Sequence, residues 1–535
     1  MAAGCKFSND EMILARLVEF FDENSGWHRG LWQVGSVLAL REVVESAEAS
    51  WTGALSNDAM NDFIKNAKRL LSRDRAAAGL VEPIEAAMTL LPSKKVEESR
   101  PALIALKELI HRLDSGYLWR WGEALTQVPP TTLEIETTAR LIAADLLDCG
   151  FHPAHLAKWI EKRAGQEEKS LLEILRDGQK MKHEGVIDYD FLIAFTEIPE
   201  KALAAFENDA IKVGEFQRVY STATNSLNMG SIDPVKGAAK ISTRARDPFS
   251  AVENVLQWLK RYETRVRISS GEELTFDTRV IDVNALKIRE LPVGKLLQLS
   301  SIEKHLVFRP NAPNATVLAQ IDDALALLAP HLQTTPGVSV ASLWAAAEGL
   351  LGSSETSGAS VATRLAEIVA CSFPRDEIHT LARKWRRNGN GALHDDLRRH
   401  WKSYFINAAF VAGIAANGDP GFDDAADSAA VIRVQSALAS PQIQVATIRD
   451  YLDSAFRRLY YQRNYIMHAA KFDSVSLVRA TEMSPVLVAA GLEQIINAQT
   501  QGHWVSPGSL AARARNEISL LGGPAAKPIF TLLSS

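Results

Sequence analysis

The stretch TIRDYLDSAFRRLYYQRNYIMH, residues 447–468, decides how the C-terminal part of this chain is read. Its apolar positions Ile448, Leu452, Ala455, Phe456, Leu459, Ile466 and Met467 recur with helical spacing, as on a helix with one face turned to a core. Arg463 falls on that stripe. A guanidinium there is costly to bury, so it must find an acceptor or face a site where an anion can meet it. Asn464 and His468 follow within five residues. One helix end therefore gathers a fixed cation, an amide and an imidazole.

Outward from this helix the pattern stays helical. Upstream, Ser342 to Leu351 places Trp344, Ala347, Leu350 and Leu351 on one face with Glu348 at its margin. Val317 to Leu328, Val361 to Cys371 and Glu377 to Arg387 continue the series. Asn388-Gly389-Asn390-Gly391 is a break, and residues 388–443 read as an insertion. Ser484-Pro485, as N-cap and first helical residue, starts a last helix to Asn497. Residues 501–535 read as a peripheral tail. The turn-rich Phe308 to Pro313 marks the start of this third region, residues 301–500.

Residues 1–130 carry apolar residues three and four apart from Glu11 to Phe21, Leu31 to Ala47, Met60 to Leu71, Ile84 to Leu91 and Ala102 to Leu113. Trp27, Trp32, Trp51, Trp119, Trp121 and Trp159 read as packing anchors between such helices. Between 131 and 300 the character changes. Helices near Glu134 to Leu147 and His155 to Arg163 precede a strand-like run, Tyr189 to Phe195. Arg265 to Ser269 and Leu274 to Phe276, joined through Gly271, read as a hairpin. The fold class expected is mainly α, with a small α/β middle region.

At 535 residues the chain is long enough for several cores, and 47% hydrophobic with 23% charged residues is an ordinary globular balance. A formal net charge of −5 argues against a general nucleic-acid coat, so any RNA contact must be local. Cys5, Cys149 and Cys371 are too scattered for a zinc motif and too few for a disulfide framework. A reducing cytoplasm is the expected compartment. The longest apolar run, Tyr404 to Ala416, is interrupted by Asn407 and is too short to span a bilayer. No membrane partner and no cofactor are expected. Neither a P-loop nor a dinucleotide fingerprint occurs.

Arg463-Asn464-Tyr465-Ile466-Met467-His468 resembles the Arg-Asn-x-x-x-His signature of the HEPN superfamily, and Trp344 with Glu348 looks like the helix preceding it in Apea-like HEPN domains. Such a signature is expected by chance on the order of a few times in a hundred chains of this size. The resemblance covers residues 300–500 and implies a HEPN-type helical bundle, a homodimer through that bundle, and metal-independent endoribonuclease activity. It implies Arg463, Asn464 and His468 as the catalytic set, Glu348 in support, and no metal. Proteins of this kind are often toxins or antiphage effectors, so a regulatory or trigger protein is an expected partner and residues 1–300 an expected sensing or target-selecting part.

The residue types suit that chemistry. RNA carries its own nucleophile, the 2′-hydroxyl. An imidazole such as that of His468 can move its proton, Arg463 can hold the phosphate with two parallel bonds, and Asn464 can orient either. Arg383-Lys384-Trp385-Arg386-Arg387 is the expected RNA contact, cations for phosphates and an indole for stacking. Two other readings stand beside this one. Arg463 can close a buried ion pair while His468 sits on the helix dipole, in a non-catalytic bundle for dimerisation or partner binding. His394-Asp395 with His400 faintly suggests a metal-dependent phosphohydrolase, without its further ligands.

Overall fold

Among the described residues, nine α-helices built on apolar stripes come first, and a computed structural model places them in one shared core. It describes residues 6–92, 96–224, 235–292, 299, 314–329, 335–353, 357–500 and 505–534. Cys5 and the expected linker Phe308 to Pro313 lie outside these. The nine are α1 (Asn9–Phe21), α2 (Ser36–Trp51), α3 (Asn57–Leu71), α4 (Val81–Thr89), α5 (Val96–Asp114), α6 (Tyr117–Gln127), α7 (Ile135–Asp148), α8 (Pro153–Glu161) and α9 (Leu171–Glu184). Several start on a side-chain cap, as where Ser8 and Glu11 bond reciprocally at α1. The helical core thus runs on to Glu184 rather than ending near 130. Trp32 and Trp121 are buried as expected of anchors, but Trp119 is exposed.

Chain direction then reverses at Gly185, at φ 77°, and a small sheet follows. Its elements are β1 (Ile187–Glu197), α10 (Glu200–Ala204), β2 (Ala210–Ile211), α11 (Val213–Thr224), β3 (Gly237–Ala245), α12 (Pro248–Ser270), β4 (Thr275–Asp282) and β5 (Lys287–Glu290). The order is β2-β3-β1-β4-β5, antiparallel throughout. Strand β1 is central and buried on both faces: Phe191, Ile193 and Phe195 pack under α12, Leu192 and Ala194 under α11. That explains its continuous apolar run. The hairpin expected around Gly271 does not form. Arg265 to Ser269 are the last turns of α12, whose Val252, Val255, Leu259 and Val266 keep helical spacing against the sheet, and Gly271 is its left-handed C-cap. Packing along the whole helix overrides a local strand preference.

The third region is helical: α13 (Ala315–Leu328), α14 (Pro336–Leu351), α15 (Gly358–Asn388), α16 (Gly391–Arg399), α17 (Ser403–Asn417), α18 (Ala425–Ala439), α19 (Pro441–Ala469), α20 (Leu477–Thr500) and α21 (Pro507–Leu520). The molecule is mainly α with one small sheet. Three prolines lie inside helices where boundaries were expected, the first being Pro101 of α5, a helix expected only from Ala102. Pro374 sits within α15, joining Val361–Cys371 to Glu377–Arg387, and Pro485 lies inside α20 instead of starting it. A proline costs a helix interior about 3 kcal/mol, which burial along these long helices offsets. The tail is not peripheral either. Leu510, Ala511, Ala514 and Ile518 of α21, then Ile529, Phe530 and Leu532, are buried in the C-terminal core. No helix of the described residues is long and apolar enough to cross a membrane.

A charge network joins the first helical region to the third. Arg29 reaches Glu19 (2.9 Å), Glu377 (3.2 Å) and Asp427 (2.7 Å), and Arg16, fully buried, holds Glu19 and Glu136. Arg433 closes the circuit between Glu136 (2.9 Å) and Glu377 (3.1 Å). Helix α18, inside the segment expected as an insertion, supplies Asp427 and Arg433. Burial pushes the Glu377 carboxyl up, but Arg433 and Arg29 pull harder and hold it at about 2. We expect Glu377→Gln to cost about 3–5 kcal/mol in urea unfolding, because two guanidinium groups lose a buried partner. Since this folded value is depressed, its stabilisation is present above the ordinary carboxyl range near 4.5 and should fade as pH falls from there toward 2, measurable by unfolding across that window.

Candidate functional site

Helix α19 carries four arginines, and their partners set one apart. Arg449 bonds Asp450 (2.7 Å), Arg457 holds Asp453 (2.7 Å) and Asp62 of α3 (2.6 Å), and Arg458 is buried against Glu42 of α2. Arg463 has no carboxylate partner among the described residues. Its Nη1 donates to Asn464 Oδ1 at 3.2 Å, and the side chain is half-buried.

Successive helical residues turn by about 100°, so Asn464 and His468 share a face about 40° apart while Arg463 and His468 stand about 140° apart. The Asn464 amide therefore lies between the cation that it accepts from and the face that carries the imidazole. With its oxygen on Arg463, its NH2 remains for an anion. His468 is exposed in the last helical turn. The helix ends at Ala470 in the left-handed conformation, φ 49°, and the Lys471 amide donates to Tyr465 O at 3.1 Å. Behind the site Tyr465 is buried, and burial followed by Glu45 and Glu42 pushes its phenol far up.

The first helical region reaches this site through one carboxylate. Glu45 of α2 accepts from Lys471 Nζ (2.6 Å), Ser474 Oγ (2.7 Å) and the Val475 amide (3.3 Å), pinning the loop after His468. Around the same end lie Met467, 60% exposed, Phe472, 58% exposed, and the half-exposed Val475 and Val478. Met467 was expected in the core stripe. It points outward because it stands about 100° round the helix from Ile448 and Ile466, off the buried stripe.

No family model, curated protein or solved structure matches this chain. The site is therefore read from its own geometry.

The other expected residues are not brought to it. Gly337 packs against Ile466 and Phe472, and Trp344 stacks near Tyr460 at 4.9 Å, so α14 runs antiparallel to α19. Glu348 then sits about two turns, roughly 10 Å, along the axis from Arg463. It is half-buried, and no ion pair joins it to Arg463 among the described residues. The basic run is farther away. Gly358 abuts the Tyr460 ring, where a methyl would collide, and Thr363 bonds Asp453 at 2.7 Å, so α15 also runs antiparallel to α19. Arg383 to Arg387 close its far end, about 40 Å from Arg463 at 1.5 Å per residue. Within the run, Lys384 is tied to Asp427 at 2.7 Å, and Trp385, only 9% exposed, packs edge-on to Phe422 instead of offering a stacking face.

Metal chemistry finds little purchase in the described residues. Asp114, Asp145 and Cys149 converge, but Lys182 Nζ already lies 3.2 Å and 2.7 Å from the two carboxylates, and burial pushes the thiol up to about 12. His394, Asp395 and His400 form no such group. The residue that sequence reasoning missed is Trp401, 86% exposed. It stands four residues from both Leu397 and Phe405, a spacing that imitates a helical stripe, until the break between α16 and α17 turns it outward. For the loop at the site, we expect Glu45→Ala to raise hydrogen exchange across residues 470–476 at least tenfold while exchange in the core of α19 is unchanged. Unaltered exchange there would remove the link.

Proposed function

We propose that this protein is a metal-independent endoribonuclease acting through Arg463, Asn464 and His468. The observation that carries the reading is that Arg463, alone among the arginines of α19, holds no carboxylate among the described residues. A structural arginine would be expected to hold one, as Arg458 holds Glu42. A guanidinium without a carboxylate among the described residues, beside an amide and an exposed imidazole on the same helix end, suits a phosphodiester.

In the proposed reaction His468 takes the 2′-hydroxyl proton, the 2′-oxygen attacks the adjacent phosphorus, and Arg463 with the Asn464 NH2 bears the charge on the phosphoryl oxygens. A proton must reach the departing 5′-oxygen. One imidazole cannot readily give and take at once, so the same histidine of a second copy supplies it, in a homodimer. The products are a 2′,3′-cyclic phosphate and a 5′-hydroxyl. The apolar collar of Met467, Phe472, Val475 and Val478 supports a second copy at this end. Because an unrestrained ribonuclease would harm its own cell, the first 300 residues act as a control device in a toxin or antiphage effector of the cytoplasm, answering to a trigger. The Glu45 contact to the site loop is the physical route for that control.

The same collar favours a second reading, a non-catalytic bundle that uses this end only to dimerise or bind a partner. One assay separates them. Total RNA is incubated with wild type, Arg463→Ala and His468→Ala in excess EDTA, with folding checked by circular dichroism. The expected result is cleavage by wild type that either variant lowers by about 10²- to 10⁴-fold while remaining folded. Equal cleavage by all three would remove the assigned residues. Variants that unfold would favour the structural reading.

A further inference from the structure

We propose that the corner made by the end of α15, helix α16 and the start of α17 binds single-stranded RNA, with a base stacked on Trp401 and phosphates held by Arg386, Arg387, Arg398, Arg399 and Lys402. The choice of RNA over DNA rests on the ribonuclease reading. The single-stranded chemistry stands on the surface itself.

Residues 383–402 hold seven cations and two carboxylates, in a chain whose net charge is −5. Positive charge is therefore concentrated here against the trend of the whole molecule. Lys384 is spent on Asp427, while Arg387, Arg398, Arg399 and Lys402 are exposed and Arg386 is half-exposed. The two acids lie on α16, Asp396 facing His400 at 3.8 Å and Asp395 facing His394 at 3.6 Å. Trp401 projects from the break between helices. The Arg386 guanidinium stands over its ring at 5.3 Å and leaves most of the ring to solvent. Tyr404 and Phe405 continue the surface half-exposed, and His400 stacks on Phe405 at 5.8 Å.

Flat rings interleaved with arginines match a ligand that alternates bases with phosphates. Arginines and aromatic rings also serve protein interfaces, but seven cations against two carboxylates within residues 383–402 favour a polyanion. Duplex hides the base faces that Trp401 would meet, whereas a single strand offers them. Since this corner lies about 40 Å from Arg463 in the same chain, it holds the strand and takes no part in the chemistry.

The test is fluorescence anisotropy with a fluorescein-labelled 2′-O-methyl oligouridine, which has no free 2′-hydroxyl to attack, and with the same strand annealed to its complement. Trp401→Ala, fully at the surface, should weaken binding of the single strand about tenfold. Arg398→Glu with Arg399→Glu should weaken it further and flatten a log–log salt slope of about −3 in wild type, the value for four or five phosphates on a single strand. Arg244→Glu, on the sheet, should leave binding unchanged. No binding by wild type, preference for the duplex, or indifference to these substitutions overturns the proposal. So does a change from dimer to monomer in Trp401→Ala on sedimentation, which would give the surface to a second copy. Binding that depends on Trp401 while no RNA is cut would keep this surface and remove the ribonuclease reading; cutting without such dependence does the reverse.

Discussion

The ion network around Arg29, Glu377 and Arg433 is the constraint on which the arrangement of this molecule depends. Charges at these depths are tolerable only when each meets its opposite, and the opposites come from α1, the turn after it, α7, α15 and α18. Removing any contributing helix would leave bare charge behind. The first helical region and the C-terminal bundle are consequently one packed body along this seam, and α18 is a structural member of it rather than a decoration.

Helix α19 carries that constraint toward the candidate site. Along most of its length its cations are committed to the first helical region, through Asp62 and Glu42. The last two turns, from Arg463 onward, hold a cation with no carboxylate among the described residues. Glu45 of α2 holds the loop that closes this end. A displacement of α2 would therefore be felt where Arg463, Asn464 and His468 lie, without a dedicated hinge, because rigid packed elements pass on small shifts.

Much of this was legible in the chain. Helix periodicity located α1 and α3 to within three residues of their observed bounds and the C-terminal ends of α14 and α19, both of which start six residues earlier than expected, since amphipathic spacing records which face is buried. Strand β1 was legible as an uninterrupted apolar run. The failures share a cause. Arg265 to Ser269 has a strand's composition and lies in a helix, Pro374 and Pro485 look like ends and lie inside, and Trp385 looks like a stacking surface and lies in the core. In each, packing at a distance outweighed a local preference of a few kcal/mol at most.

The sequence by itself determined that the chain is mainly helical, that a short apolar strand interrupts the helices, and that an arginine, an asparagine and a histidine share one helix end. Those properties follow from periodicity and residue chemistry, which are local. Tertiary structure alone decided which arginine of α19 has no carboxylate among the described residues, that Glu348 lies about two turns from it, that the basic run stands at the far end of α15, and that Trp401 rather than Trp385 faces solvent. These depend on which distant carboxylates and rings the folded chain brings together, and burial of charge is settled only there.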